Sequence, residues 1–469
     1  MSVRRVITFE EFMKTSTLAV SMTLALLPTL ASAASNTDEL AAIRQQIQTL
    51  QTEYEHRIQS LESRLAQAEA EAHSAKRDAA EAQAVATAPV TAAAPSASAN
   101  AFNPAVSAIL TGTYGDLSND PDNYAIPGFA LGDETGPGER GFSLGESEIN
   151  ISANVDDKFY GNLTAALAPE GGVDVEEAFV QTTALSHGFT LKAGRYFSGI
   201  GYLNEQHAHI WDFVDTPLAY RALLGNQYGD DGVQLRWLAP TDLFLEFGAE
   251  ALRGAGFPAG GDERPGIEAY SGFMHLGGDV GSGGSWRLGL SHLEADANDR
   301  RTGEDVATSF TGNSRLSILD AVYKWAPDGN PASTNFVAQA EYFYRHENGE
   351  LVYDPDGSAD FSSYRGSQRG FYVQGVYQFM PRWRLGARYD RLSASNRLDN
   401  PLAGTALEQL ANGGDRPQRY SLMTDFSNSE FSRFRLQFNR DESRPDGETD
   451  NQLLVQYIFS LGAHPAHQF

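Results

Sequence analysis

The sequence predicts an all-β fold: a transmembrane, antiparallel β-barrel of about 16 strands, preceded by an α-helical coiled coil. Apolar and polar residues alternate with period two from about residue 106 onward, as in strands with one apolar face. The connections between these strands alternate between short turns and long loops rich in Gly, Asp, Asn and Pro. A soluble sandwich would show the same alternation of side chains. Short turns at one end and long loops at the other, however, are typical of an outer-membrane barrel.

The composition argues against a nucleic-acid partner and excludes stabilisation by cysteine. The 469 residues include 61 acidic and 35 basic side chains, which give a formal net charge of −26. Because nucleic-acid phosphates are bound by basic faces, this excess argues against a nucleic-acid partner. The chain contains no cysteine, so neither a disulfide nor a cysteine-ligated metal can stabilise it.

Residues 1–33 are predicted to be a signal peptide. The basic residues Arg4, Arg5 and Lys14 precede a short apolar run that ends in Ala-Ser-Ala, and cleavage is expected after Ala33. A membrane-anchor helix is the alternative, which the shortness of the run and its internal proline disfavour. No later stretch is apolar enough to span a bilayer as a helix, so a membrane crossing would require strands.

Residues 34–83 are predicted to form a periplasmic coiled coil. From Leu40 to Ala82, apolar residues recur at steps that alternate between three and four, which is the spacing of a coiled-coil seam. So narrow a stripe has no partner in its own segment, and self-association is favoured over a solvated spacer helix. Residues 84–105, rich in Ala, Pro and Ser and without charge, are expected to be a linker.

Residues 106–469 are predicted to form the barrel. In one representative strand, Val233 and Leu235 alternate with Gln234 and Arg236, so that one face is apolar and the other is polar. The candidate strands fall at 106–116, 142–155, 159–168, 173–184, 189–199, 230–239, 243–253, 267–280, 285–295, 315–326, 335–346, 367–380, 383–393, 417–427, 431–441 and 451–462.

The stretch LKAGRYFSGIGYLN, residues 191–204, has a strand that ends where a long connection begins, and with the architecture above it supports a family resemblance. The chain resembles the trimeric outer-membrane porins, especially the phosphate-selective porin O/P-like group with an N-terminal periplasmic coiled coil. The resemblance implies a homotrimer of water-filled channels in the outer membrane, each narrowed by a third outer loop that folds inward. The sequence departs from this group because residues 106–469 contain only three lysines, Lys158, Lys192 and Lys324. Phosphate specificity is therefore not expected.

The strand count makes residues 200–229 the third outer loop. Apolar residues such as Trp211 and Leu223 are unusual in a loop surrounded by water, and we expect the loop to pack against the inner wall of the barrel. Its titratable side chains are concentrated in NEQHAHIWDFVD, residues 204–215. The candidate constriction residues are Glu205, His207, His209, Asp212 and Asp215.

Basic residues are expected on the wall that faces this loop. Strand alternation directs six side chains into the lumen: Lys192, Arg236, Arg384, Arg388, Arg433 and Arg435. Carboxylates that face an arginine ladder would produce a transverse field, which favours polar or charged solutes over apolar ones. For any single arginine, the alternative is a salt bridge that stiffens the barrel.

A metal site is a second interpretation of the same loop. His207 and His209 are two residues apart and share a side only on an extended backbone, where Asp212 or Glu205 could complete a set of three zinc ligands. A second histidine pair lies near the C-terminus, in GAHPAHQF. The alternative is that these loop histidines only form hydrogen bonds.

These observations predict a porin: a passive diffusion channel for small hydrophilic or charged solutes, constricted by residues 200–229. The alternative function is an outer-membrane channel or binding protein for divalent metal such as zinc, the only cofactor that the sequence suggests. An enzyme is not predicted, since no arrangement of nucleophile and base recommends one. A structural tether to the cell wall is a further alternative, and a TonB-dependent transporter is disfavoured because residues 34–105 cannot fold as a plug. The other expected partners are outer-membrane lipid and lipopolysaccharide, which acidic outer loops would reach through divalent cations.

Overall fold

The computed structural model describes residues 104–132, 135–167, 171–261, 265–301, 308–327, 329–353, 360–400, 410–411 and 414–462. The predicted signal peptide, the predicted coiled coil and most of the predicted linker lie outside the described residues, as do His464 and His467. In this part of the chain, no helix is long and apolar enough to cross a membrane.

The strands of the described residues form one closed, antiparallel barrel, because β1 pairs with both the last strand and the second. With the two segments of β2 counted as one strand, the barrel has the 16 strands that the sequence predicts. They are β1 Ala105–Leu117, β2 Gly141–Leu144 and Ser147–Asn154, β3 Phe159–Leu167, β4 Val173–Thr182, β5 Phe189–Phe197, β6 Gly229–Leu238, β7 Phe244–Leu252, β8 Ala269–Val280, β9 Gly284–Arg301, β10 Thr308–Trp325, β11 Asn335–Tyr353, β12 Asp360–Met380, β13 Trp383–Leu398, β14 Gln418–Ser429, β15 Ser432–Glu442 and β16 Asp450–Gly462. A short helix, α1, spans Leu218–Leu224, and 3-10 turns lie at Pro121–Asn123, Ser186–Gly188, Ala208–Ile210 and Pro445–Gly447.

Several strands extend further at their long-loop ends than the sequence predicts. The end of β9, for example, was expected near residue 295, whereas its ladder continues to Arg301. In this region the outward side chains are polar, as in the exposed ion pair of Arg315 with Glu294, where Nε and Oε1 lie 2.8 Å apart. Because the prediction depends on an apolar face, it ends where that face ends, although the backbone hydrogen bonds continue.

Strand β2 is interrupted at Gly145 and Glu146, where the sequence predicts one continuous strand. A Cβ atom on Gly145 would lie 2.6 Å from Cγ2 of Thr111 on β1, which is too close for any other residue type. The hydroxyl of Ser147 accepts a hydrogen bond of 3.0 Å from the backbone N–H of Thr111. Both segments of β2 therefore remain paired with β1 across the interruption.

Apolar side chains cover the outer face of the barrel wall. In β9, Leu288 and Leu290 are 46% and 53% exposed, whereas Arg287 and Ser291 on either side of them are 8% and 2% exposed. The same alternation recurs in β10, whose outward side chains include Leu319. An apolar exterior with polar residues turned inward is the pattern of a barrel that lies in lipid.

This outer face predicts the effect of a charge placed in it. We expect Leu290→Arg to lower the free energy of unfolding by about 2–4 kcal/mol, the cost of an arginine on the lipid face near the middle of a bilayer. Asp296→Arg, on the same face of β9 but near its long-loop end, should lower it by less than about 1 kcal/mol. Equilibrium urea unfolding in lipid vesicles, followed by tryptophan fluorescence, measures both values. Equal losses in the two variants would show that this face does not meet lipid.

The inward side chains are not uniformly polar. All seven residues of α1 are buried, and all of them except Arg221 form an apolar core with Ile126 and Phe129 from the first long connection. The barrel wall contributes inward side chains such as Phe343 on β11 and Leu392 on β13 to this core. Two long connections therefore pack together against the inner wall.

Candidate functional site

The third connection at the long-loop end of the barrel, residues 198–228, joins β5 to β6 and contains the five predicted constriction residues. Asn204 holds its two ends together, because its side-chain amide donates to the carbonyl oxygens of Ser198 and Tyr228 at 2.8 and 2.9 Å. Its carbonyl oxygen accepts from the N–H of Tyr228 at 2.8 Å. Helix α1 ends at Gly225, whose φ of 60° is the left-handed conformation that terminates helices.

Glu341, on β11, binds the connection from the barrel wall. Its carboxylate is 2% exposed and accepts hydrogen bonds from the backbone N–H groups of Tyr202 and Leu203 at 3.0 and 3.1 Å. The hydroxyls of Tyr220 and Tyr372 also donate to it, at 2.9 and 2.5 Å. The sequence analysis did not select Glu341. The one feature of the sequence that could have indicated its role is that an acidic residue occupies an inward position of a strand rich in aromatic residues.

Among the carboxylates of the connection, that of Asp215 accepts the most hydrogen bonds. Its carboxylate accepts hydrogen bonds from Arg388 at 2.6 Å, Arg419 at 2.7 Å, Gln437 at 2.8 Å and Asn439 at 3.1 Å. Burial alone would raise the pKa of Asp215, but the neighbouring arginines outweigh it and hold that pKa well below its ordinary value. The carboxylate is therefore ionised and fixed against β13, β14 and β15.

Two further carboxylates of the connection pair with predicted ladder residues. Arg384 donates to Asp212 at 2.8 Å and to Asp425 on β14 at 2.9 Å. Glu205 accepts a hydrogen bond from Arg236 on β6. Burial opposes the ionisation of Glu205, but Arg236 and other nearby cations lower its pKa to about 2. Asp212 and Glu205 are thus each paired with a different arginine.

The two remaining arginines of the predicted ladder bind main-chain oxygens. Arg435 donates from Nη2 to the carbonyl oxygen of Trp211 at 2.6 Å, and Arg433 donates to the carbonyl oxygen of His209. Both guanidinium groups lie on β15 and hold the middle of the third connection. Arginine has five N–H donors in a planar arrangement, which suits it to such contacts.

The arrangement of charge differs from the one that the sequence predicts. We expected the loop carboxylates to face an arginine ladder across open space, but Glu205, Asp212 and Asp215 each contact an arginine directly. Contact pairs cancel much of each other's field, so the field across the lumen is weaker than two separated rows would produce. Lys192 contacts aromatic rings, because its Nζ lies 4.5 Å from the centre of the Phe179 ring and 5.3 Å from that of Tyr196.

The two histidines of the connection lie among glutamates that the sequence analysis did not select. His207 Nδ1 lies 3.3 Å from Oε2 of Glu148 and 3.3 Å from Oε2 of Glu176, and its Nε2 lies 3.1 Å from Oε2 of Glu177. His209 Nδ1 lies 3.0 Å from Oε1 of Glu148. Burial would lower the pKa of His207, but Glu176 and Glu177 raise it well above its ordinary value.

Of the three residues predicted as metal ligands, the structure brings two together. The rings of His207 and His209 stack with their centres 5.9 Å apart, although His209 lies in the 3-10 turn Ala208–Ile210 and the backbone is not extended through the pair as the spacing argument required. Asp212 is not in this group, because it is bound to Arg384 on β13. The acids beside the histidines come instead from β2 and β4.

A cavity of about 790 Å³ lies beside this group. Five predicted site residues line it, namely Lys192, Glu205, His207, His209 and Arg236. Asp242 and Leu243, in the short turn that follows β6, and Asp279, near the end of β8, also line it, so the cavity lies toward the short-turn end of the barrel. Its wall carries charges of both signs next to aromatic rings.

Comparison with known proteins gives one clear relative. The chain is 33% identical over 356 residues to an "Uncharacterized protein" of Aquifex aeolicus (strain VF5), with 71% of each chain covered. The chain belongs to the family of this Aquifex protein. No family model matches it.

Several solved structures of outer-membrane proteins are similar to this chain. The outer membrane channel DcaP of Acinetobacter baumannii has 13% identity and a TM-score of 0.48, covering 78% of this chain and 99% of that one. An anion-selective porin from Comamonas acidovorans has 10% identity and a TM-score of 0.48, covering 77% and 100%. OprB of Pseudomonas putida has 12% identity and a TM-score of 0.44, covering 77% and 94%.

Proposed function

We propose that this protein is an outer-membrane porin, a passive diffusion channel for small hydrophilic or charged solutes that is constricted by residues 198–228. The observation that carries the proposal is the fixing of this connection to inward side chains of a closed barrel. Glu341 binds it on β11, Arg388 on β13 and Arg435 on β15. A connection held in this way narrows the cross-section of the lumen.

The cavity wall supports hydrophilic rather than apolar solutes. Lys192, Glu205 and Arg236 present charges of both signs beside it, and such walls replace part of the hydration of a polar solute. An apolar solute would form no favourable contacts with these charged groups and would lose its contact with lipid. Selectivity for phosphate forms no part of the proposal, because Arg236, Arg384 and Arg388, which could otherwise bind an anion, are paired with Glu205, Asp212 and Asp215.

The proposal extends to location and assembly. The apolar outer face is suited to the outer membrane, and the coiled-coil spacing of residues 34–83 supports self-association of this segment in the periplasm. The resemblance to the trimeric porins implies that the assembly is a homotrimer. Acidic side chains in the long loops, such as Asp120 and Asp122, are suited to binding lipopolysaccharide through divalent cations.

Planar-bilayer recording tests the channel. The purified full-length protein should produce stable current steps in potassium chloride, and a trimer should close in groups of three equal steps when the voltage is raised. Because the apolar core around α1 occupies part of the lumen, we expect these steps to be smaller than those of an unobstructed 16-stranded barrel. A correctly folded protein that inserts and carries no current would refute the porin.

A channel or binding protein for divalent metal is the second candidate. The observation that favours it is the contact of His207 with three glutamates at the cavity wall. Imidazole and carboxylate together form the ligand set of many zinc sites. The two candidates are compatible, because a channel can carry a metal site in its wall.

A further inference from the structure

We propose that Glu148, Glu176 and His207 form a binding site for one divalent transition-metal ion, flanked by Glu177 and His209. This assignment differs from the ligand set suggested by the sequence, in which Asp212 or Glu205 completed a site with both histidines. It rests on the proposed function only for its place in the lumen, since metal binding itself requires no transport.

The distances between the ligand atoms fit a metal ion. One atom each of Glu148, Glu176 and His207 lies within 4.8 Å of the others, and His207 Nδ1 is 3.3 Å from both carboxylate oxygens. Zinc binds such ligands at about 2.0–2.2 Å, so two ligand atoms of a tetrahedral site lie about 3.3–3.6 Å apart. The group therefore needs little movement to enclose an ion.

An irregularity in the backbone of β4 brings two successive glutamates, Glu176 and Glu177, to the same face. Its register against β3 shifts at one point: Thr164 pairs with Glu177, and Ala165 pairs with Val175, so Glu176 is left without a partner. This is a β-bulge, which places consecutive side chains toward one face where a regular strand would alternate them. Both glutamates consequently reach His207. The irregularity also explains why period-two reasoning did not find them.

The group has an excess of ligand atoms over hydrogen-bond donors. Two carboxylate oxygens flank the single atom Nδ1 of His207, which can carry only one hydrogen. In keeping with this, the contact between His207 Nδ1 and Glu176 Oε2, at 3.3 Å, lacks the geometry of a hydrogen bond, although both atoms are buried. A cation between them would satisfy both atoms at once.

The surroundings provide negative charge and hold the ligands in place. Glu148 is 2% exposed, and its ion pairs among the described residues are with His207 and His209 rather than with lysine or arginine. The backbone N–H of Phe197 donates to Oε1 of Glu177 at 3.3 Å. Contacts of this kind orient ligands and raise metal affinity.

The donor set selects a class of metal. Imidazole nitrogen with carboxylate oxygen suits zinc, iron(II), cobalt(II) or manganese(II), whereas calcium and magnesium prefer oxygen alone. Glu148 and His207 also line the cavity, so an ion dissolved there reaches them directly. A site of this kind would hold a metal ion, free or chelated, that passes along the lumen.

Zinc binding tests the site in the full-length protein, folded in detergent and purified without a histidine tag. The background carries His464→Ala and His467→Ala, so that the C-terminal histidines cannot contribute. Titration against a chromophoric chelator should show one Zn²⁺ per protomer, with affinity unchanged by a millimolar excess of Ca²⁺. Glu176→Gln should weaken zinc binding by at least about tenfold, and His207→Ala by more than that.

His275→Ala is the matched control. His275 is also a buried inward histidine, but it pairs with the single carboxylate of Glu246, at 3.0 Å, and should retain wild-type zinc affinity. The heat-dependent gel mobility of each variant verifies that the barrel is folded. Wild-type affinity in folded Glu176→Gln, or absence of zinc binding by the wild type, would overturn the assignment. If the wild-type protein conducts ions but does not bind zinc, the metal site is refuted and the channel is not. If it binds zinc but does not conduct, the channel is refuted and the metal site is not.

Discussion

Replacing Asp215 with asparagine is expected to release the third connection from the barrel wall and to increase the single-channel current. Asparagine keeps nearly the same shape but removes the charge that Arg388 and Arg419 contact at 2.6 and 2.7 Å. Leaving buried arginines without one of their partners costs about 3–5 kcal/mol. Asp390 still contacts both arginines, at 3.1 and 3.5 Å, so we expect the lower end of this range.

Two measurements follow the release of the connection in Asp215→Asn. Planar-bilayer recording should show larger and noisier current steps than the wild type. Trypsin should cleave after Arg221, which is 2% exposed in α1 and therefore protected in the intact protein. Asp231→Asn is the control, because Asp231 pairs with Arg195 at the exposed end of β6, where such pairs contribute little. If Asp215→Asn matches the control in current and cleavage, these ion pairs do not hold the connection.

Introducing an acid into α1 should have an effect of similar size. Leu223 is fully buried in the apolar core, and an unpaired carboxylate there costs several kcal/mol. We expect Leu223→Asp to displace α1 from the core while the barrel itself stays closed, because α1 forms no part of the sheet. A loss of about 3 kcal/mol would raise the population of the open connection about 150-fold.

Trypsin cleavage after Arg221, identified by mass spectrometry, measures this population. Leu223→Met preserves the volume of the side chain, costs less than about 1.5 kcal/mol, and should be cleaved almost as slowly as the wild type. The heat-dependent gel mobility of Leu223→Asp should show a folded barrel. Slow cleavage of folded Leu223→Asp would mean that the apolar core does not hold the connection in place.

The strands were predictable because each depends on a local pattern. Because side chains alternate between lipid and lumen, each strand shows a period-two pattern of apolar and polar residues within its own segment. Even β2 was predicted, despite its interruption at Gly145 and Glu146. The ends of β9 and β11 were not predictable, since the outward residues there are polar while backbone pairing continues to Arg301 and Tyr353.

The candidate site was predictable in part. Its residues in the third connection were found from their concentration in one segment. Their partners were not, because Asp215 and Arg419 are 204 positions apart, and strand alternation states only which side chains point inward, not where each lies around the barrel. Arg419 had the correct inward parity, yet nothing in the sequence related it to Asp215. Glu176 was missed for a local reason, the bulge in β4.

The route of the third connection has a mechanical consequence. It leaves the wall at β5 and is bound to β13, which is eight strands away in a ring of 16, so it crosses the full diameter of the barrel. Flattening the cross-section along this line compresses the connection, and flattening it at right angles stretches the contact of Asp215 with Arg388. We therefore expect the connection to act as an internal strut that transmits lateral pressure on the barrel wall to the side chains bound to it.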